Sequence, residues 1–216
     1  MRRRKKKGAD EKLLSYTTYV IQDPCLYKGK WNEEFQNENP IYLELGMGRG
    51  KFLTTLALKH PNINFIGMEM KEEVLLKAVE KAYELDLKNI LFIWGDVKKI
   101  EEYFDKNEVQ RLFINFCDPW PKKRWAKRRL THHNFLKMYK NILEETGEVH
   151  FKTDNEKLFE FSLNEFSNEG LYLKNISLDL KESDIENVTT EYEDKFMNQG
   201  LKIYRCEGKI VNNNNI

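Results

Sequence analysis

Residues 41–52 read Ile-Tyr-Leu-Glu-Leu-Gly-Met-Gly-Arg-Gly-Lys-Phe. Five residues of strand composition run into a turn with three glycines spaced two apart, and a helical apolar pattern follows over 51–59. Glycine lets the backbone turn sharply and approach a ligand. A strand that feeds such a turn and then a helix is the opening unit of an α/β sheet. The pattern repeats downstream. Short apolar runs occur at 64–69 (NFIGME), 90–95 (ILFIWG), 111–116 (RLFINF) and 148–153 (EVHFKT). Several are apolar on both faces, as strands of a covered parallel sheet are. Helical spacing marks 71–86 and 131–145, shorter helices fit 97–104, and another runs over 156–168 up to Gly170.

The expected fold is therefore α/β: a mostly parallel sheet with helices on both faces. Two further runs, 172–180 and 201–211, have no helix of convincing length between them, so the final strand should be antiparallel. Residues 1–36 read as a basic N-terminal extension, 37–211 as one domain, and 212–216, with its NNNN, as a disordered tail.

Composition narrows the function. The 216 residues carry 36 Lys+Arg against 35 Asp+Glu, a net charge of +1. No apolar run approaches the ~20 residues of a membrane span. The N-terminus has charge without an apolar stretch, unlike a signal peptide. Cys25, Cys117 and Cys206 are odd in number and far apart, which argues against a disulfide framework and for a reducing, cytoplasmic setting. The four histidines show no metal-ligand spacing, so no metal is expected.

The balanced charge hides a segregation. Residues 2–7 (RRRKKK) and 122–129 (KKRWAKRR) hold six basic groups each and no acid. Removing these twelve from the 36 leaves 24 basic against 35 acidic, a body of −11. Dense basic clusters on an acidic body suit a polyanionic partner.

The acids mark the other binding requirement. Ligands of open α/β sheets bind beyond the carboxyl ends of the strands. Those ends deliver Glu44, Glu69, Asp96, Asp118 and Asp154, at intervals of 25, 27, 22 and 36 residues. Any one could be a helix cap; five in succession are harder to assign to capping. The glycine turn (Gly46, Gly48, Gly50) lacks the third glycine of a dinucleotide fingerprint, because Lys51 stands there. A pyrophosphate would be repelled by Glu44 and Asp96, whereas a cationic ligand would be attracted. S-adenosylmethionine carries a sulfonium and an ammonium group and no phosphate. Glu69 suits its ribose hydroxyls and Asp96 its adenine amino group. NAD is the weaker alternative.

The fourth strand runs into CDPWPKKRWAKRRL, 117–130. Pro119 and Pro121 end the strand and stiffen the turn that carries Asp118. The basic run sits at the same edge, interleaved with Trp120 and Trp125. Arg and Lys contact phosphates, and an indole can stack on a base.

Taken together, ELGMGRG (44–50), DPWPKKR (118–124), KRRL (127–130), FKTD (151–154) and TEYE (190–193) resemble the bacterial tRNA (guanine-N7)-methyltransferase family, class I S-adenosylmethionine-dependent enzymes. The resemblance extends from GADE (8–11) to IYR (203–205). It implies a Rossmann-like class I methyltransferase fold and formation of 7-methylguanosine in the variable loop of tRNA. It implies cofactor-binding positions at Glu44, Gly46, Gly48, Glu69, Asp96 and Asp118, with Asp118 also the catalytic position. It implies substrate-binding positions at Lys122, Asp154, Thr190, Glu191, Tyr192 and Glu193. The RNA-contacting stretch would be Arg124, Trp125, Ala126, Lys127, Arg128 and Arg129. The chain departs from the family pattern at Trp125, where His is expected, and at Cys117, where Ser is. A monomer or a homodimer is compatible with all of this.

Two other classes remain open from the residues. An exocyclic-amine methyltransferase is one, since D-P-W-P is close to the D/N-P-P-aromatic turn of those enzymes. A non-catalytic RNA-binding module is the other, against which the intact row of acids argues. A nicotinamide dehydrogenase is disfavoured by Lys51.

Overall fold

The computed structural model describes residues 8–211. The RRRKKK run and the 212–216 tail lie outside the described residues. The chain order is α1 (Ala9–Leu14), β1 (Val20–Ile21), α2 (Trp31–Phe35), β2 (Ile41–Leu45), α3 (Lys51–Lys59), β3 (Asn64–Glu69), α4 (Glu72–Glu84) and β4 (Ile90–Trp94). It continues with α5 (Ile100–Tyr103), β5 (Val109–Asn115), α6 (His133–Ile142), β6 (Leu143–Thr153), α7 (Glu156–Asn168), β7 (Tyr172–Ser177), α8 (Glu191–Asn198) and β8 (Tyr204–Lys209).

Eight strands form one sheet in the order β1-β4-β3-β2-β5-β6-β8-β7. The first six pair in parallel. β8 is antiparallel to β6 on one side and to β7 on the other. The mostly parallel sheet with an antiparallel final strand is thus as the sequence implies.

One face is sealed by α5, α6 and α7, whose Ile100, Leu136, Tyr139, Leu158 and Phe166 pack on Leu43, Leu45, Ile114 and Phe151. On the other face α3 and α4 place Leu53, Ala57, Leu75, Val79 and Ala82 over Phe65 and Phe92. α1 adds Ala9 and Leu13 to that cluster. Trp31, from α2, is fully buried; its indole N–H donates to the Tyr103 carbonyl at 3.0 Å and its ring stacks on Phe104. Residues from Ala9 onward therefore share the core of the sheet. Side chains of this size contribute about 3–5 kcal/mol each when truncated.

Three local readings change. The 131–145 helix is shorter, because the chain leaves α6 at Ile142 and enters β6 at Leu143. The 97–104 helix is a 3-10 turn over Val97–Lys99 followed by the single turn of α5. Between β7 and β8 lies α8, which the sequence reading omitted. Its buried residue is a glutamate, Glu193, so it offers no apolar stripe to read.

Candidate active site at the carboxyl edge of the sheet

The strand order turns the five acids into a row. Along the carboxyl edge the sequence is Asp96 after β4, Glu69 at the end of β3, Glu44 on β2, Asp118 after β5 and Asp154 after β6. The order differs from chain order because β2 sits in the middle of the parallel strands.

The glycine turn lies over the β2–β3 boundary. Gly46, Gly48 and Gly50 all have positive φ, and the Gly46 and Met47 amides donate to the Met68 carbonyl at 2.9 and 3.2 Å. β3 can approach this closely because Gly67 lacks a side chain: a Cβ there would meet the Met47 sulfur at 2.0 Å. Glu69 is held at the turn by three backbone donors. Its Oε2 accepts from Gly48 at 3.3 Å, and its Oε1 from Met70 and Lys71 at 2.9 and 3.0 Å. Asp96 accepts from the Lys98 amide at 3.0 Å and so caps the 3-10 turn, while its side chain stays partly accessible.

Glu44 is different. It is buried, and burial pushes its carboxyl up to about 8, opposed by hydrogen bonding from Asn115 and by the charge of Lys152. Asn115 Nδ2 donates to Oε1 at 2.9 Å; Oε2 has no partner among the described residues. A buried acceptor without a donor is costly. An ammonium group arriving beside it would donate to that oxygen and favour the charged carboxylate, so the edge fits a cationic cofactor. The neighbouring Cys117, where a serine was expected, is pushed up to about 12 by burial and stays a neutral thiol.

Asp118 is exposed, with no hydrogen bond or ion pair among the described residues. The turn that presents it is strained at Phe116 (φ 52) and Trp120 (φ 42). Arg129 holds that turn: Nε donates to the Pro119 carbonyl at 3.0 Å, a terminal nitrogen to the Trp120 carbonyl at 3.1 Å, and the guanidinium lies 4.3 Å over the Phe161 ring. These contacts tie the Arg129 side chain to the turn itself.

The other basic residues wind into a 3-10 helix, Lys123–Arg128. Trp120 and Trp125 meet edge to face at 5.9 Å. Lys122 and Arg124 sit 4.9 and 5.3 Å over Trp125, and Arg128 sits 4.8 Å over Trp120. Lys122, Arg124, Lys127 and Arg128 are exposed, and Ala126 lies half-buried between them. The indoles therefore array cations at the edge beside Asp118.

Asp154 is exposed just past β6. The Thr190–Glu193 stretch is the N-terminus of α8. The Thr190 hydroxyl accepts from the Glu193 amide at 3.0 Å, the N-cap geometry. Glu193 is fully buried against Lys152, whose ammonium donates to it at 2.7 Å and to the Val188 carbonyl at 2.9 Å. Glu191 accepts from the Lys51 amide at 3.2 Å and from Lys81 at 3.1 Å, which ties α8 to the N-terminus of α3. Tyr192 is exposed and stacks on Phe116. Of these four, only Tyr192 presents an exposed ring at the edge; the others fasten the helix that carries it. Asn115 and Lys152 were absent from the sequence-based site. Lys152 alternates with Glu148 and His150 along one strand, a period-2 polar pattern that was there to read.

With that geometry in place, comparison with known proteins becomes informative. Residues 38–206 match the family model described as "Putative methyltransferase". The chain is 66% identical over 214 residues to the tRNA (guanine-N(7)-)-methyltransferase of Clostridioides difficile (strain 630), covering 98% of this chain and 100% of that one. The chain belongs to the tRNA (guanine-N(7)-)-methyltransferase family. Its relative of the same name from Halalkalibacterium halodurans is 50% identical, with 99% of this chain and 97% of the other covered. Among solved structures, an antibiotic-related methyltransferase superposes with a TM-score of 0.65 at 17% identity, covering 89% of this chain and 96% of that one. A SAM-dependent methyltransferase from Aquifex aeolicus gives 0.58 at 16%, covering 92% and 98%. At those identities the likeness is one of fold. No helix among the described residues is long and apolar enough to cross a membrane.

Proposed function

We propose that this chain transfers the methyl group of S-adenosylmethionine to N7 of a guanine in the variable loop of tRNA, in the cytoplasm. The observation that carries the reading is the adjacency, on one sheet edge, of a cation-seeking row of acids and an arrayed basic helix, with exposed Asp118 at their junction. The cofactor would supply an electrophilic methyl group on sulfur.

Glu69, already oriented by the glycine turn, would accept from the ribose hydroxyls, and Asp96 from the adenine amino group. Glu44, with its unpartnered Oε2, would meet the cationic part of the ligand. N7 of guanine has a lone pair and no proton to lose. Methyl transfer to that lone pair would release the neutral thioether, with the carbon–sulfur electron pair going to sulfur, and would need no general base. The protein's task is alignment and accommodation of a cationic purine. Asp118 would accept from guanine N1–H and its amino group and so fix the ring while offsetting the developing charge. Asp154 and Tyr192 would border the same base, and Lys122, Arg124, Lys127 and Arg128 would hold the phosphates. Thr190, Glu191, Glu193 and Arg129 would act by positioning these groups.

The test is incubation with labelled S-adenosylmethionine and unmodified tRNA, followed by nucleoside analysis. Label in 7-methylguanosine is expected. Label in an exocyclic N-methyl nucleoside, or none in any nucleoside, would overturn the assignment.

A further inference from the structure

On the sheet face that carries α3 and α4, apolar cover stops at β5. Beyond it the strands present charges in cross-strand register: Arg111 beside Glu148, His150 beside Glu207 and then Lys174, and Lys152 beside Arg205. These residues floor a cavity of about 470 Å³. Its walls are Phe52 and Leu56 of α3, Tyr42 and Phe113 of the sheet, and the 185–188 segment. The volume lies within the range of small-molecule sites.

The floor is incompletely paired. Glu148 accepts from His150 at 2.9 Å, from Lys174 at 2.6 Å and from Arg111 at 3.3 Å. Glu207 takes Arg205, Lys174 and Asn175. Burial pushes His150 down, so the ring is neutral near pH 7. Three cations, Arg111, Lys174 and Arg205, thus face two carboxylates, with Lys152 already matched by Glu193. Arg111 Nε and Arg205 Nη1 have no hydrogen-bond partner among the described residues, and Arg205 is nine-tenths buried. The one further acid on the lining, Glu186, is exposed at the rim. Glu148, His150 and Glu207 also lie within metal-binding distance of one another, but three cations already occupy their oxygens.

A buried guanidinium with an unpartnered donor, flanked by the half-buried cations Arg111 and Lys174, calls for an oxyanion, which a guanidinium fork binds best. The aromatic walls (Phe52 and Phe113 meet at 5.0 Å) call for a flat body attached to it. We propose that this cavity is a second ligand site, which binds a phosphate monoester carried on a flat aromatic group, a free small molecule rather than a phosphate of the RNA.

The test is calorimetric titration of the full chain with 1-naphthyl phosphate and, separately, 1-naphthol. The phosphate should bind at least tenfold more tightly than the alcohol. Arg205→Gln and Arg111→Gln should each remove that preference; Arg111 is partly exposed, so its variant keeps the test open if Arg205→Gln unfolds. Neutralising Arg124, Lys127 and Arg128 should leave the phosphate affinity unchanged. Equal affinity for the two probes, no binding of either, a preference that survives both arginine variants, loss of binding in the neutralised helix, or displacement of the probe by tRNA would each overturn the proposal.

Discussion

Lys152 and Glu193 form an ion pair at 2.7 Å with both side chains almost wholly removed from water. It joins the end of β6 to the first turn of α8, and Asn187 completes the glutamate's hydrogen bonding. Burial lowers the Lys152 pKa, and the charge of Glu193 only partly opposes that. Breaking a buried pair from one side leaves a lone charge and costs about 3–5 kcal/mol. Lys152→Met should therefore lower the melting temperature strongly, and Lys152→Met with Glu193→Gln should recover part of the loss. Calorimetric melting of the three proteins checks this; a single variant as stable as the parent would contradict it.

Glu44 sets a pH dependence. Its folded carboxyl titrates at about 8 because it is buried, against an ordinary value of 4.5. The folded state then binds the proton more tightly than the unfolded state. This contribution is fully present below pH 4.5, declines as pH rises from 4.5 to 8 by up to about 1.4 kcal/mol per unit, and is flat above. Glu44→Gln should remove that slope. Denaturant unfolding of both proteins at pH 5, 6, 7 and 8 measures it.

Asp118→Asn keeps the shape of the exposed side chain and removes its charge. If the carboxylate aligns guanine, kcat should fall about 100-fold, in the range seen for lost transition-state hydrogen bonds. Affinity for S-adenosylhomocysteine should change little. Single-turnover rates with tRNA and a separate cofactor titration give the two numbers; near-normal turnover would remove Asp118 from the mechanism.

Replacing Arg124, Lys127 and Arg128 with Gln should raise the tRNA dissociation constant about tenfold or more and flatten its dependence on salt. Arg129 is left in place because it holds the Asp118 turn. Filter binding between 50 and 200 mM salt, roughly the range in which phosphate contacts are screened, reads both effects. Unaltered affinity and slope would place the RNA elsewhere.

Gly67→Ala introduces a Cβ on top of the Met47 sulfur. Met47 is buried in the glycine turn and must move, at a cost of about 1–3 kcal/mol. Both the melting temperature and cofactor affinity should fall, since the displaced turn carries the Gly48 amide that orients Glu69.

Much of this was legible from residue patterns. Phe65 and Ile66 on β3, and Phe92 and Ile93 on β4, make these strands apolar on both faces, so they read clearly. The acids were legible by spacing, but their order along the edge depends on β2 taking the middle of the parallel strands, which no local pattern states. α8 was invisible because it buries Glu193 and shows Tyr192. The basic run was legible as a cluster; that Arg129 would serve the turn while Arg128 lies on Trp120 depends on backbone carbonyls and ring placement. The charged floor of the cavity was half legible. Glu148, His150 and Lys152 alternate along β6, but their partners Arg205 and Glu207 come from a strand more than fifty residues later, in a register set only when the sheet closes.

The strand order also constrains synthesis. Among the described residues β7 pairs only with β8, and β8 is the last strand in chain order. A nascent chain leaving the ribosome must carry β7 with both of its backbone edges open until residue 209 has cleared the exit. Loss of residues 204–209 alone would therefore leave β6 with an open edge and β7 with no partner in the sheet.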